Sequence, residues 1–178
     1  MADERVNLKH VHIYTDGACL GNPGPGGYGV VLRYDSHRKE LSGGFRATTN
    51  NRMELMAAIV GLGALLERCR VTLYTDSRYL AEALARGWAR RWRAQGWWRN
   101  RNERARNPDL WEQLLALCER HEVEVVWVRG HAGHPENERC DQLALQAAQR
   151  PDLPPDMGYE GAAADGSGAP GAARPGQA

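Results

Sequence analysis

The chain has 178 residues, a formal net charge of +1 and a mean hydropathy of −0.60, which fits one domain with a buried core. We find no apolar run long enough to span a bilayer and no secretory signal, so we expect a cytoplasmic protein. The four cysteines form no C-x-x-C pair, which disfavours a zinc cluster and favours free thiols, with two disulfides in a secreted protein as the alternative.

The first part of the chain predicts a polar leader and three strands. Residues 1–9 are polar, and we expect them to be flexible. Apolar runs bounded by turn residues predict strands at 10–16, 27–35 and 38–47, joined as an antiparallel meander. The linker Gly21–Gly27 is dense in glycine and proline but lacks the Gly-Lys-Ser/Thr ending of a phosphate loop. It is compatible with a shaped turn and with a substrate contact.

Helical and strand patterns alternate in the second part of the chain. We expect helices at 51–68, 77–86, 107–120 and 135–149, and strands at 71–76 and 123–128. Of the last 28 residues, 18 are Pro, Gly or Ala, and no apolar periodicity continues. We therefore expect a folded domain at 10–150 and a disordered tail at 151–178.

Positive charge is concentrated at residues 86–106, which we call the basic handle. This segment holds eight arginines and one acid, so it carries +7 and the rest of the chain −6. It also contains four of the six tryptophans: Trp88, Trp92, Trp97 and Trp98. We expect a helix followed by an irregular loop, with Trp88 and Trp92 on one helical face. Interleaved arginine and tryptophan favour binding to a polyanion, and the alternative is a solvated face with Trp97 and Trp98 packed inward.

Two predicted strands end in the same way. Residues 12–17 read His-Ile-Tyr-Thr-Asp-Gly, and residues 72–77 read Thr-Leu-Tyr-Thr-Asp-Ser. Each pattern indicates a buried strand that ends in a carboxylate, Asp16 or Asp76, which is costly to bury without a compensating charge. Equivalent positions suggest neighbouring strand ends and a shared cation.

Two helical acids lie on stripes that should face the core. Glu54 shares a stripe with Ala58 and Leu62, and Asp141 shares one with Ala144. Any single acid could cap a helix or complete a turn. Four inward-facing acids would repel one another unless a cation offset them, and Mg²⁺ or Mn²⁺ prefers carboxylate oxygen.

Several stretches in one colinear register, covering about residues 8–150, resemble the bacterial type 1 ribonuclease H family. They are DGACLGNPG at 16–24, TTNNRMEL at 48–55, the two Tyr-Thr-Asp strands, and GHAGHPENERCD at 130–141. The resemblance implies an α/β fold: a five-stranded mixed sheet, three antiparallel strands followed by two parallel additions, flanked by helices. It also implies hydrolysis of the RNA strand of an RNA–DNA hybrid, leaving 5′-phosphate and 3′-hydroxyl ends.

The resemblance assigns roles position by position. The metal-binding carboxylates would be Asp16, Glu54, Asp76 and Asp141. His131 would be a mobile histidine that assists proton transfer or product release, whereas we interpret His134 as structural. A DNA-phosphate pocket would contain Arg33, Thr49 and Asn107. Groove and 2′-hydroxyl contacts would come from Cys19, Asn22, Asn50 and Asn51, and Trp88 and Trp92 of the handle would stack on the DNA strand. Arg78 stands where the family often has glutamine, so it adds charge and cannot accept a hydrogen bond.

Our hypothesis for the reaction is in-line hydrolysis with two Mg²⁺ or Mn²⁺ ions about 4 Å apart. Asp16 would bridge both ions, with Glu54 and Asp76 on the first and Asp141 on the second. A non-catalytic hybrid-binding module is one alternative. Another is a different nuclease of the same broad fold, although such enzymes are not expected to combine the handle with the Gly-His-Ala-Gly-His loop. Nothing in the sequence demands an oligomer, so we expect a monomer.

Overall fold

A computed structural model describes residues 7–164 of the chain. Its elements, in chain order, are β1 (His10–Cys19), β2 (Gly24–Tyr34), β3 (His37–Thr48), α1 (Asn50–Gly63), β4 (Arg70–Thr75), α2 (Arg78–Ala85), α3 (Trp88–Ala94), α4 (Pro108–Arg120), β5 (Glu122–Trp127), α5 (Pro135–Ala148) and α6 (Met157–Ala164). Among the helices within residues 7–164, none has the length and apolar character needed to cross a membrane.

The strands form one sheet in the order β3-β2-β1-β4-β5. The first three strands are antiparallel, and β4 and β5 add in parallel on the other side of β1. This arrangement confirms the predicted mixed sheet. Tyr14 of β1 lies opposite Tyr74 of β4, so Asp16 and Asp76, each two residues further on, lie at the same edge of the sheet.

The core lies on both faces of the sheet because side chains alternate along each strand. On one face, Ile13 and Leu73 are fully buried in the cluster that contains Leu55 of α1 and Trp111 of α4. On the other face, α5 packs across β1, β2 and β3, and Cys140 joins a smaller buried cluster. This two-sided packing fixes the end of β1 between α1 and α5.

Helix α1 ends at Gly63, five residues before the predicted end at 68. Glycines at 61 and 63 lower the helical propensity there, and the Ala64 N–H closes the helix on the Val60 and Gly61 carbonyls. The apolar stripe also stops, since Leu66 is 95% exposed.

The predicted disordered tail is wrong for residues 151–164. The Pro154 carbonyl accepts a hydrogen bond from the Arg46 N–H at 2.9 Å, Asp156 is buried, and helix α6 follows. Polar contacts hold this segment, which is why apolar periodicity did not reveal it. Lys9, in the predicted flexible leader, accepts a backbone hydrogen bond from Arg70. The remainder of the predicted leader and tail, residues 1–6 and 165–178, lies outside the described residues.

Candidate active site

Three carboxylates meet beside the second half of β1, which continues to Cys19, three residues past the predicted end at Asp16. Asp16 lies on β1, Asp76 directly follows β4, and Glu54 lies in the second turn of α1. Thr49 caps α1 by accepting a hydrogen bond from the Arg52 N–H at 3.2 Å, which fixes the helix start beside the strand end. One oxygen from each of Asp16, Glu54 and Asp76 lies within 4.8 Å of the others. We call these three residues the acid cluster.

Helix α1 approaches β1 closely because a glycine follows Asp16. A Cβ atom built on Gly17 would lie 2.5 Å from the Glu54 backbone nitrogen. The Gly17 N–H also donates a hydrogen bond to Oδ1 of Asp16 at 2.9 Å, which orients that carboxylate. The small residue after the predicted strand end is therefore required by the site geometry.

A cleft of about 440 Å³ contains the acid cluster and the other two predicted catalytic residues, Asp141 and His131. Asp141 of α5 is half-buried and lines this cleft, but its oxygens do not belong to the compact group of three. His131 also lines the cleft, on an exposed loop between β5 and α5, with a left-handed φ of 55°. The structure thus brings the four predicted carboxylates and the predicted histidine to one cleft.

The acid cluster lies in an unfavourable electrostatic environment. Burial, and then the negative charge of Asp76, raises the pKa of Asp16 to about 8. Burial, and then the charge of Asp16, raises the pKa of Glu54 well above its ordinary value. Within residues 7–164, Glu54 Oε2 is buried without a hydrogen-bond partner. A divalent cation would offset the charge and coordinate the unpaired oxygen, so the donor set fits a hard metal ion.

Four of the ten predicted substrate-contact residues belong to the wall of this cleft. Cys19, Asn50, Asn51 and Arg78 line it directly. The Asn22 side-chain oxygen accepts a hydrogen bond from the Asn50 N–H at 3.2 Å, which ties the glycine-rich linker to the start of α1. The linker is therefore a turn that is hydrogen-bonded to a residue of the cleft wall.

The predicted phosphate pocket is only partly assembled. Thr49 and Asn107 are both hydrogen-bonded to Arg52, Thr49 through the Arg52 N–H and Asn107 through its guanidinium at 3.3 Å. The inclusion of Arg33 was wrong: it lies nine residues along β2 from Gly24, the partner of Thr48. At about 3.3 Å per residue, this places Arg33 roughly 30 Å from Thr49. An extended strand carries Arg33 to the opposite edge of the sheet, beside Glu136.

The basic handle shows the inward packing of the alternative prediction, and its binding to a polyanion stays a prediction. Seven of its eight arginines are exposed, whereas Trp98 is only 7% exposed. Trp88 and Trp92 of α3 are half-buried and pack against the core, and the Trp92 ring meets Trp111 edge-on at 6.1 Å. The tryptophans anchor the handle while the arginines face solvent.

Three residues near the site were not predicted. Arg52 lies on α1 with its guanidinium buried, Tyr79 lines the cleft, and Trp127 donates a hydrogen bond to the Asp76 carbonyl. Arg52 carried a detectable signal, since an arginine directly before Met53 and Glu54 in an apolar helix needs buried acceptors. Tyr79 and Trp127 carried none, because aromatic residues at element ends are common in ordinary cores.

Comparison with known proteins agrees with this arrangement. The RNase H family model matches residues 8–149. The Ribonuclease H of Desulforamulus reducens is 66% identical over 155 residues, covering 87% of this chain and 98% of the relative. The crystal structure of LC9-RNase H1, a type 1 RNase H with the type 2 active-site motif, matches with a TM-score of 0.71 and 34% identity, covering 96% of this chain and 89% of that one. LC11-RNase H1 in complex with RNA/DNA hybrid matches with a TM-score of 0.59 and 26% identity, covering 78% and 96%. With a match to nearly all of its folded part and its acids gathered in one cleft, the chain belongs to the RNase H family.

Proposed function

We propose that the protein is an endonuclease that hydrolyses the RNA strand of RNA–DNA hybrids and leaves 5′-phosphate and 3′-hydroxyl ends. The observation that carries this proposal is the meeting of Asp16, Glu54, Asp76, Asp141 and His131 in one cleft of an RNase H family chain. A related structure, LC11-RNase H1, is a complex with RNA/DNA hybrid. We expect the protein to act as a cytoplasmic monomer.

The carboxylates of the cleft would hold Mg²⁺ or Mn²⁺, with two ions when substrate is bound. Asp16, Glu54 and Asp76 offer an all-oxygen donor set, and Glu54 Oε2 has no hydrogen-bond partner within residues 7–164, which supports a metal ion at that oxygen. Asp141, which lines the same cleft from α5, would contribute to the second ion. When bound, the ions supply an activated water and stabilise negative charge on the leaving oxygen.

The chain's own groups would orient the hybrid and move a proton. His131 lies on an exposed loop of the cleft, where its imidazole could exchange a proton with the leaving group. Asn50 and Asn51 lie at the cleft wall, where amide groups could bind the 2′-hydroxyls that distinguish RNA from DNA. Thr49 and Asn107 would hold a DNA phosphate, and the exposed arginines of the handle would extend the contact along the DNA strand.

The test is a cleavage assay on matched RNA–DNA hybrid, duplex DNA and duplex RNA. With Mg²⁺ we expect cutting of the RNA strand of the hybrid alone, and none with EDTA. Asp16→Asn should reduce cleavage about a thousandfold, since charge stabilisation worth several kcal/mol is lost. Asp35→Asn is the matched control, because Asp35 is exposed on the β2–β3 turn at the far edge of the sheet, and it should retain activity.

Three outcomes of this assay would contradict the proposal. Hybrid binding without cutting would favour a non-catalytic module. Equal cutting of duplex DNA would favour another nuclease of this fold. Activity of Asp16→Asn close to that of the unmodified protein would remove the assigned role of the acid cluster.

A further inference from the structure

The end of β5 surrounds the turn that carries Asp76. Trp127 is the last residue of β5 and lies opposite Thr75 of β4. Its indole N–H donates a hydrogen bond to the Asp76 carbonyl at 3.0 Å, and the Val128 N–H donates to the Thr75 carbonyl at 2.8 Å. On the same side, a Cβ atom on Gly130 would lie 2.8 Å from Oδ2 of Asp76. The indole is therefore fixed to the backbone of a proposed metal ligand.

The exposed face of this indole carries an arginine. Trp127 is 41% exposed, and the guanidinium carbon of Arg78 lies 4.9 Å from the centroid of its ring. A guanidinium over a tryptophan ring is held by cation–π attraction and stacking. Because the indole N–H is bonded to the Asp76 carbonyl, this hydrogen bond orients the ring as a platform for Arg78.

Arg78 is a cation in a cleft that holds four acids. It lines the cleft together with Asp76 and Asp141. Even so, among the residues that the structure describes, none forms an ion pair with Arg78. By contrast, Arg139 forms hydrogen bonds with both carboxylate oxygens of Glu40 at 2.7 and 3.0 Å. Stacking on Trp127 thus holds the Arg78 cation apart from nearby carboxylates and available to a ligand.

The chemistry of the guanidinium specifies the ligand. A guanidinium has five N–H donors and no acceptor, so its partner must accept hydrogen bonds. A phosphate oxygen accepts only and carries charge, and its geometry matches the planar fork. Base edges and 2′-hydroxyls satisfy a glutamine amide better, since they present donors as well as acceptors.

We propose that Trp127 is a positioning residue that holds Arg78 at the rim of the cleft, where Arg78 binds a backbone phosphate of the nucleic acid. This inference rests on the proposed function and adds a phosphate contact beside the acid cluster. Trp127 acts through Arg78 and does not itself contact the substrate.

The experiment measures binding of a fluorescein-labelled RNA–DNA hybrid by anisotropy in EDTA, at several salt concentrations. Arg78→Gln should raise Kd about tenfold and lower the slope of log Kd against log salt by about one. Trp127→Leu should raise Kd about threefold. Trp127→Phe keeps a ring, so its Kd should lie between that of Trp127→Leu and that of the unmodified protein. In the Arg78→Gln background, Trp127→Leu should have no further effect on Kd.

Tyr34→Leu is the matched control, because Tyr34 also carries a stacked cation, with Lys9 Nζ 5.6 Å from its ring, at the opposite edge of the sheet. Its Kd should not change. In Mg²⁺, Trp127→Leu should raise KM by a larger factor than it lowers kcat.

If Trp127→Leu weakened hybrid binding equally with and without Arg78, Trp127 would have a purely structural role and the inference would be overturned. An unchanged Kd and salt slope for Arg78→Gln, a variant that alters only an exposed side chain, would also overturn it. Both results presuppose an unmodified protein that cleaves hybrid. An inactive unmodified protein would instead contradict the proposed function.

Discussion

Two clusters of charged side chains lie within a few residues of each other on α1, and they are built in opposite ways. Arg52, only 3% exposed, donates hydrogen bonds to both oxygens of Asp109 and both oxygens of Asp156, at 2.7 to 2.9 Å. Asp156 also accepts a hydrogen bond from the Thr48 hydroxyl at 2.7 Å. We call Arg52, Asp109 and Asp156 the arginine cluster. Two residues further along α1, Glu54 enters a group of three acids, none of which forms an ion pair with a cation within residues 7–164.

The pKa of Asp109 in the arginine cluster shifts in the opposite direction to the pKa values of Asp16 and Glu54 in the acid cluster. In the arginine cluster, hydrogen bonds from Arg52 lower the pKa of Asp109 although burial opposes them. In the acid cluster, burial raises the pKa of Asp16 and of Glu54. A buried charge with its partners supplied by the chain stabilises the fold, whereas a buried charge without them indicates a site for an external ligand. The contrast distinguishes a structural network from a functional one.

The largest expected effect comes from breaking the arginine cluster. Arg52→Met should lower the free energy of unfolding by about 3–5 kcal/mol, because it leaves Asp156 buried without its cation. Urea unfolding monitored by circular dichroism measures the loss. Adding Asp156→Leu to this variant should recover part of it, and a loss below about 1 kcal/mol would show that the cluster is not structural.

Neutralising one residue of the acid cluster should change the free energy of unfolding in the opposite direction, that is, raise it. Without metal, Asp16→Asn should stabilise the protein by about 1–3 kcal/mol at pH 8, since it removes a buried like charge. The folded-state pKa of Asp16 is raised from 3.8 to about 8, so its contribution to stability is present below pH 3.8 and is lost as the pH rises towards 8. The advantage of the variant should therefore grow over this range.

Urea unfolding in EDTA at several pH values tests this dependence. Asp35→Asn, an exposed substitution, should show no such pH-dependent gain. A destabilising Asp16→Asn would mean that the acids are mutually satisfied without a cation.

Adding a divalent ion should stabilise the folded protein, because the ion supplies the acid cluster with the positive charge that Arg52 supplies to the arginine cluster. At a Mg²⁺ concentration about ten times Kd, we expect the unmodified protein to gain about 1.4 kcal/mol. Asp16→Asn should gain much less, because it lacks a proposed ligand. Thermal unfolding with and without Mg²⁺ measures both gains, and equal gains would mean that the ion binds elsewhere.

The smallest effect should come from an exposed ion pair on the same terminal segment. Arg46, whose side chain is 61% exposed, pairs with Glu160 of α6 at 2.7 Å. Arg46→Ala should cost less than about 1 kcal/mol and become neutral in high salt, since exposed pairs are screened. A cost equal to that of Arg52→Met would contradict the view that Arg52 contributes more to stability than Arg46 because it is buried.

The sequence predicted those parts of the site that depend on local patterns. Asp16 and Asp76 were identified because identical endings on two parallel strands put them at one edge, and the Tyr14–Tyr74 register confirms this geometry. The inward positions of Glu54 and Asp141 followed from helical periodicity, and Glu54 is indeed only 9% exposed. Short-range periodicity is sufficient wherever one element determines the direction of a side chain.

The parts that failed depend on distance through space. Arg33 was grouped with Thr49, yet the length of β2 separates them. A resemblance carried by short motifs does not give the distance between two residues. The contact between Arg52 and Asp156 joins positions 104 apart in the chain. Asp156 lies in a segment rich in Pro, Gly and Ala, and this composition is typical of a disordered tail. Pairings of this kind are specified by tertiary structure alone.

The docking of Asp156 means that the family match, which ends at residue 149, stops short of the structural unit. Truncation at that point would strip Arg52 of half its carboxylate partners and expose the edge of β3 near Arg46 to water. Anyone trimming this protein for crystallisation or fusion should retain at least residues 150–160, even though no catalytic group lies among them.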